Sequence, residues 1–186
     1  MRLFLTGEPG VGKSTVVGAA LRQLGLSAAL RGFVTVAEED TAGQRCGFRS
    51  VDVADPTRTC RLATLTSDNV RPGEGIGPYR VHLDEIAAFC EQVLTTGNSA
   101  TEEPEPEPEP ERPLLTVLDE VGAMQLLSPR VETLLDGAIG AQSGGRARCC
   151  FGTLPREGLH ANLRLVVRRP RRSSLASAKR AGLPPS

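Results

Sequence analysis

The sequence predicts an α/β domain, with a mainly parallel sheet flanked by helices and an antiparallel hairpin added to it. Three observations carry this expectation. A short apolar run, MRLFLT at 1–6, leads into Gly7-Glu8-Pro9-Gly10-Val11-Gly12-Lys13-Ser14-Thr15, which is glycine, four residues, glycine, lysine and serine. A helix-compatible stretch, STVVGAALRQL at 14–24, follows at once. Much later a second apolar run, LLTVL at 114–118, ends in Asp119-Glu120. A strand, a glycine loop and a helix in that order, with an acidic pair closing another strand, are the parts of a sheet that binds phosphate at one end.

The first stretch explains itself chemically. Glycines let the backbone turn tightly and point successive N–H groups into one cavity. The helix start adds unsatisfied donors and a dipole end that favours anions. The N–H groups of Gly10 to Ser14 are expected to cradle phosphates, Lys13 to bring a mobile positive charge to the β- and γ-phosphates, and the Ser14 hydroxyl to ligate Mg²⁺. All of Gly7 to Thr15 belongs to this candidate nucleotide site.

At 186 residues the chain suits one domain with a real core. The expected domain runs over 1–167, with an insertion near 97–113 and a basic tail at 168–186. Aromatic residues are 3% and tryptophan is absent, so Leu, Val and Ala must build the interior. Equal numbers of acidic and basic residues, 22 each, give no general attraction to nucleic acid, and no dedicated nucleic-acid site is expected. No run is long and apolar enough to span a bilayer. The first strand starts almost at Met1, so no leader is expected ahead of it, and a cytoplasmic or nuclear monomer is the simplest setting. Cys46, Cys60, Cys90, Cys149 and Cys150 lack CxxC spacing and read mostly as small buried side chains, not zinc ligands.

In chain order, FVTVA at 33–37 and RCGFRSVDV at 45–53 flank the polar EEDTAGQ and predict the hairpin, with Cys46, Phe48, Val51 and Val53 as its candidate buried positions. Arg31, Arg45 and Arg49 read either as solvated side chains or as contacts to phosphate or base. RLATL at 61–65 is a further short strand. Gly73-Glu74-Gly75-Ile76-Gly77 lacks a preceding strand and a following helix, so it is expected to be a flexible loop. Tyr79–Leu83 is extended, with Tyr79 read chiefly as packing and secondarily as a base-stacking ring. Asp84 is expected to cap a helix over 85–94 that turns Ile86, Phe89, Cys90 and Val93 inward.

The stretch TEEPEPEPEPERP denies itself helix hydrogen bonds and an apolar face, so it predicts an extended charged spacer. After LLTVL, Asp119 is expected to hold Mg²⁺ and Glu120 to orient or deprotonate an attacking water. The strand that carries them is expected beside the loop strand. A helix over 131–135, a loop over 137–148, a short strand at 149–151 and a final strand at 163–167 complete the sheet. Thr153, at a strand end, is either a sensor of the γ-phosphate or a turn residue. The tail RRPRRSSLASAKRAGLPPS has the composition of a disordered segment.

GEPGVGKST, RGFVTVAEEDTAGQRCGF, YRVHL, VLDEVGAMQLLS and, more weakly, CCFGTLP, taken in that order, make the chain resemble the THEP1 family of P-loop NTPases. The resemblance covers most of 1–155. It implies a RecA-related phosphate-loop fold and slow Mg²⁺-dependent hydrolysis of nucleoside triphosphates, including ATP and GTP, to diphosphate and phosphate with loose base selectivity. It gives Lys13 to phosphate, Ser14 and Asp119 to Mg²⁺ and Glu120 to water, with one of Arg31, Arg49 or Arg130 available for charge at the γ-phosphate. The chain departs from the family at Ala123, where lysine is common, and at Gln125, where glutamate is common. A nucleotide or small-molecule kinase and a nucleotide-dependent switch without turnover are the alternative readings. The first requires an acceptor pocket and a water-excluding lid, the second a partner.

Overall fold

The computed structural model describes residues 1–24, 29–95, 114–140 and 148–155. Strand β1 (Arg2–Gly7) runs into the glycine loop and helix α1 (Lys13–Leu24). Then come β2 (Ala29–Glu39), β3 (Arg45–Asp52), β4 (Thr59–Leu65), β5 (Gly75–Ile76), β6 (Tyr79–Val81) and α2 (Leu83–Thr95). The acidic pair closes β7 (Leu114–Asp119), and a 3-10 turn at Gln125–Leu127, α3 (Pro129–Gly140) and β8 (Arg148–Pro155) follow.

The strands form one sheet in the order β1-β8-β7-β2-β3-β4-β6-β5. The first four are parallel neighbours. From β2 onward every pairing is antiparallel. The sheet is therefore mixed, and the expected hairpin addition is one edge of a larger antiparallel wing. Strand β2 is the pivot. Ala29–Val34 pair with β7, Phe33–Glu39 pair with β3, and Thr35–Glu39 run on past the end of β7. Strand β7 is buried at all six residues because it has neighbours on both edges and helices over the sheet, which is why it reads as an unbroken apolar run.

One expectation about the site's frame is overturned. Strand β8 lies between β1 and β7, so the acidic pair is not on the strand beside the loop strand. Strand spacing makes the two about 10 Å apart, with the end of β8 as the floor between them.

The core has two parts. Helix α2 packs Ile86, Phe89, Cys90 and Val93 against Phe33, Leu118 and α3, with Phe33 and Phe89 edge to face at 6.4 Å. Val17 of α1 packs against Leu115, Val117 and Phe151. The predicted stripe of α2 is thus buried as a unit.

Several local expectations are corrected. In β3 and just after it, Cys46, Phe48, Val51 and Val53 are only half-buried, while Gly47, Ser50 and Asp52 are buried. Asp52 is tolerated inside because it accepts bonds from the Ala54 amide and the Arg58 guanidinium. Asp84 lies within the first turn of α2, whose first bond is accepted by the His82 carbonyl. Helix α3 continues through Gly137 to Gly140, since Val131, Leu135 and Ile139 keep a buried i, i+4 stripe past that glycine. Part of the second glycine cluster is strand β5, paired with β6. Tyr79 meets Phe48 at 5.2 Å, and Arg45 lies over the Phe48 ring, as the packing reading expects. The Glu-Pro insertion, the strand expected at 163–167 and the basic tail lie outside the described residues.

Gly32, in β2, has φ of 105° and pairs with Val117; a Cβ there would sit 2.0 Å from the Val117 carbonyl oxygen. Gly32→Ala is expected to destabilise the fold by roughly 3 kcal/mol or more, combining backbone strain with overpacking. Thermal unfolding followed by circular dichroism reads this as a midpoint lowered by ~10 °C. Among the described residues, no helix is long and apolar enough to cross a membrane.

Candidate phosphate-binding site

Strands β1, β7 and β8 bring their carboxyl ends together. Beyond β1 the chain turns through Gly10 and Gly12, at φ of 78° and 94°, a region that L side chains enter only with strain. The Val16 amide donates to the Gly12 carbonyl, so the loop feeds directly into α1 and leaves the helix's first amides facing the loop. Glu8, Pro9, Gly10 and Val11 are exposed, as are Ser14 and Thr15, whereas Gly7 and Gly12 are half-buried.

Lys13 is hydrogen-bonded within the loop. It is only 9% exposed, and its Nζ donates to the carbonyls of Gly7 at 3.0 Å and Glu8 at 3.1 Å. An ammonium has three donors, so one remains for a phosphate oxygen. The side chain therefore ties α1 back to the start of the loop.

Asp119 is 1% exposed and accepts the hydroxyl proton of Thr153, itself fully buried, on Oδ1. Thr153 is thus not a turn residue. It lies in β8 and orients the carboxylate, leaving Oδ2 for another ligand. The peptide between Asp119 and Glu120 is cis. Glu120 is half-exposed.

The segment after the acidic pair is tied to three elements. The Glu120 amide donates to Thr35 Oγ1 of β2 at 3.3 Å, the Val121 amide to the Thr153 carbonyl at 3.1 Å, and the Gly122 amide to Gln125 Oε1 at 3.1 Å. Gln125 is 3% exposed, and its Nε2 donates to the same Thr35 oxygen. Thr35 is absent from the sequence expectations. The only trace it leaves is a hydroxyl within the otherwise apolar FVTVA run. Gln125 stands out only as a departure from glutamate.

The candidate arginines are otherwise engaged. Arg31 is buried and donates through Nε to Thr116 Oγ1 and through a terminal nitrogen to the Leu94 carbonyl, binding β2 to β7 and α2. It is therefore not a solvated side chain. Arg130 pairs with Glu91 of α2, and each group favours the charged form of the other. Arg49 lies 3.9 Å from Glu38 on the part of the hairpin that runs past β7.

A concavity of about 450 Å³ lies elsewhere, lined by Glu74, Arg80, His82, Asp84 and Glu85 among others. Three carboxylates make it a poor receptor for a triphosphate. Burial pushes the half-buried Cys60 thiol up to about 11 and the buried Cys90 and Cys150 thiols up to about 12, which favours the protonated form over the nucleophilic thiolate.

The profile of a family described as NTPase matches residues 2–145. The chain is 32% identical over 128 residues to the nucleoside-triphosphatase THEP1 of Thermococcus kodakarensis, covering 69% of this chain and 64% of that one. It is 32% identical over 129 residues to the THEP1 of Methanosarcina barkeri, with the same coverage. It thus spans just under two thirds of the length of these relatives. Among solved structures, it matches a human cancer-related nucleoside triphosphatase at 26% identity and a TM-score of 0.63, covering 83% of this chain and 75% of that one. THEP1 from Aquifex aeolicus matches in fold, at 24% identity and a TM-score of 0.61, covering 86% and 80%. Since the family profile covers most of its length, the chain belongs to the NTPase family in which these THEP1 relatives fall.

Proposed function

We propose that the chain hydrolyses nucleoside triphosphates to diphosphate and phosphate, with Mg²⁺ as cofactor and loose selectivity for the base. The observation that supports this best is the convergence of a braced phosphate loop, a buried aspartate and a half-exposed glutamate on the carboxyl ends of three adjacent strands. A RecA-related arrangement is part of the proposal. It is supported by β8 separating the loop strand from the acidic strand.

The donor set fits Mg²⁺. Asp119 keeps one carboxylate oxygen unoccupied by Thr153, and Ser14 offers an exposed hydroxyl at the start of α1. A hard cation that takes one protein carboxylate, a hydroxyl, phosphate oxygens and water needs no larger protein cage. When bound it supplies charge neutralisation at the β- and γ-phosphates. The loop amides and Lys13 bind and align the triphosphate. Glu120 takes the proton of a water aligned with the γ-phosphorus, so catalysis is mainly alignment and charge stabilisation. The chain is proposed to act as a monomer, with no nucleic-acid partner.

The test is phosphate release from ATP, GTP, CTP and UTP, with Mg²⁺ and with EDTA. Release from several of the four that EDTA abolishes is expected. Transfer of phosphate to an added acceptor without free phosphate, or binding without turnover, would replace the reading with the kinase or the switch.

A further inference from the structure

We propose that Thr35 and Gln125 are positioning residues for Glu120, an inference that rests on the hydrolase reading above. Three consecutive amides, those of Glu120, Val121 and Gly122, each have their own acceptor, drawn from β2, from β8 and from the 3-10 turn. One hydroxyl, Thr35 Oγ1, accepts from both the Glu120 amide and Gln125 Nε2. One carboxamide therefore bridges the Gly122 amide to that hydroxyl. By contrast, the Glu120 carboxylate takes no hydrogen bond or ion pair from any described residue. Where that carboxylate can reach thus depends on its backbone, which Thr35 and Gln125 hold together with the Thr153 carbonyl.

The same geometry explains how the chain accommodates glutamine at 125. Gln125 Oε1 serves Gly122, and Nε2 requires an acceptor, which the Thr35 oxygen supplies. A glutamate at 125 would keep the Gly122 contact and turn the Thr35 hydroxyl into a donor, while Thr35 still accepts from Glu120. Serine at 35 keeps the oxygen. Valine at 35 and leucine at 125 do not, and each strands a polar group in a site that is only partly open to water.

The experiment uses the full chain and compares Thr35→Val, Thr35→Ser, Gln125→Leu and Gln125→Glu with the wild type and Glu120→Gln. Readouts are kcat, KM, nucleotide affinity, and amide hydrogen exchange over 115–122. Thr35→Val and Gln125→Leu are expected to lower kcat by about 10- to 100-fold with affinity kept within about twofold, since a small misplacement of a reacting group costs this much. Thr35→Ser and Gln125→Glu are expected to recover most of it. The Glu120 and Gly122 amides should exchange faster in the two deficient variants while Leu115–Leu118 stay protected, which shows that the sheet is folded. Wild-type kcat in both deficient variants, or equal losses in kcat and affinity, would overturn the positioning role alone. Wild-type release no higher than that of Glu120→Gln would overturn the hydrolase reading, and the role with it.

Discussion

Glu120→Gln is expected to lower kcat by roughly 10²- to 10⁴-fold and to leave triphosphate affinity within a few-fold of the wild type. The substitution exchanges a carboxylate for a carboxamide of the same shape. It removes basicity and one negative charge, and little else. The backbone at 120 stays tied to Thr35, and its neighbours to Thr153 and Gln125, because those bonds run through main-chain amides. Asp119 and its Thr153 partner are untouched. On the proposed reading binding falls to Lys13 and the loop amides at the end of β1, two strand spacings away. The split between turnover and affinity is therefore the diagnostic quantity. Single-turnover phosphate release beside equilibrium titration of a fluorescent triphosphate measures both. A loss in kcat below about tenfold would remove Glu120 as the proton acceptor, because general-base catalysis contributes more than that.

What could be read without the structure follows from how local each feature is. The phosphate loop was legible because its chemistry is contained in nine consecutive residues and the flanking strand and helix are written beside it. The acidic pair was legible for the same reason, since a fully buried strand must be an apolar run and its first charged residues mark its end. The inward stripe of α2 follows from helical period alone. Strand order is different in kind. Nothing in LLTVL or RCCFGT says that β8 inserts between β1 and β7, since that is decided by which strands share edges and not by any one strand's composition. Thr35 illustrates the same limit within the site. It lies 85 residues from Glu120 in sequence and meets it only because β2 pairs with β7 in a register that sets Val34 opposite Asp119. Arg31 shows the same limit, because a guanidinium beside an apolar run usually lies at the surface. Here the Thr116 hydroxyl and the Leu94 carbonyl supply its partners inside. The glycines at 137 and 140 suggested a loop, yet the stripe through Ile139 carried α3 past the first of them.

Lys13→Ala is expected to weaken triphosphate binding by roughly 30- to 100-fold and to reduce turnover beyond what weaker binding explains. Two separate losses underlie this. The first is the charge-assisted contact to phosphate, worth about 1.5–3 kcal/mol. The second is the brace. With Nζ gone, the Gly7 and Glu8 carbonyls lose the donor they share, and the contact that Lys13 makes back to the start of the loop, across Gly10 and Gly12, goes with it. Loop amides would then have to be ordered at the moment of binding, which raises the cost of the encounter. The two losses separate experimentally. Rising salt should narrow the difference in affinity between wild type and variant, because it screens the charge. A component that survives high salt measures the brace. Without nucleotide, the loop amides should exchange faster in Lys13→Ala than in the wild type, whereas a lysine that contributed charge alone would leave them unchanged. Lys13→Arg should not restore function, because a planar fork cannot serve two carbonyls and a phosphate from the position of a compact ammonium. Undiminished binding in Lys13→Ala would mean that the glycine loop holds no phosphate, and the reading of the whole site would fall with it.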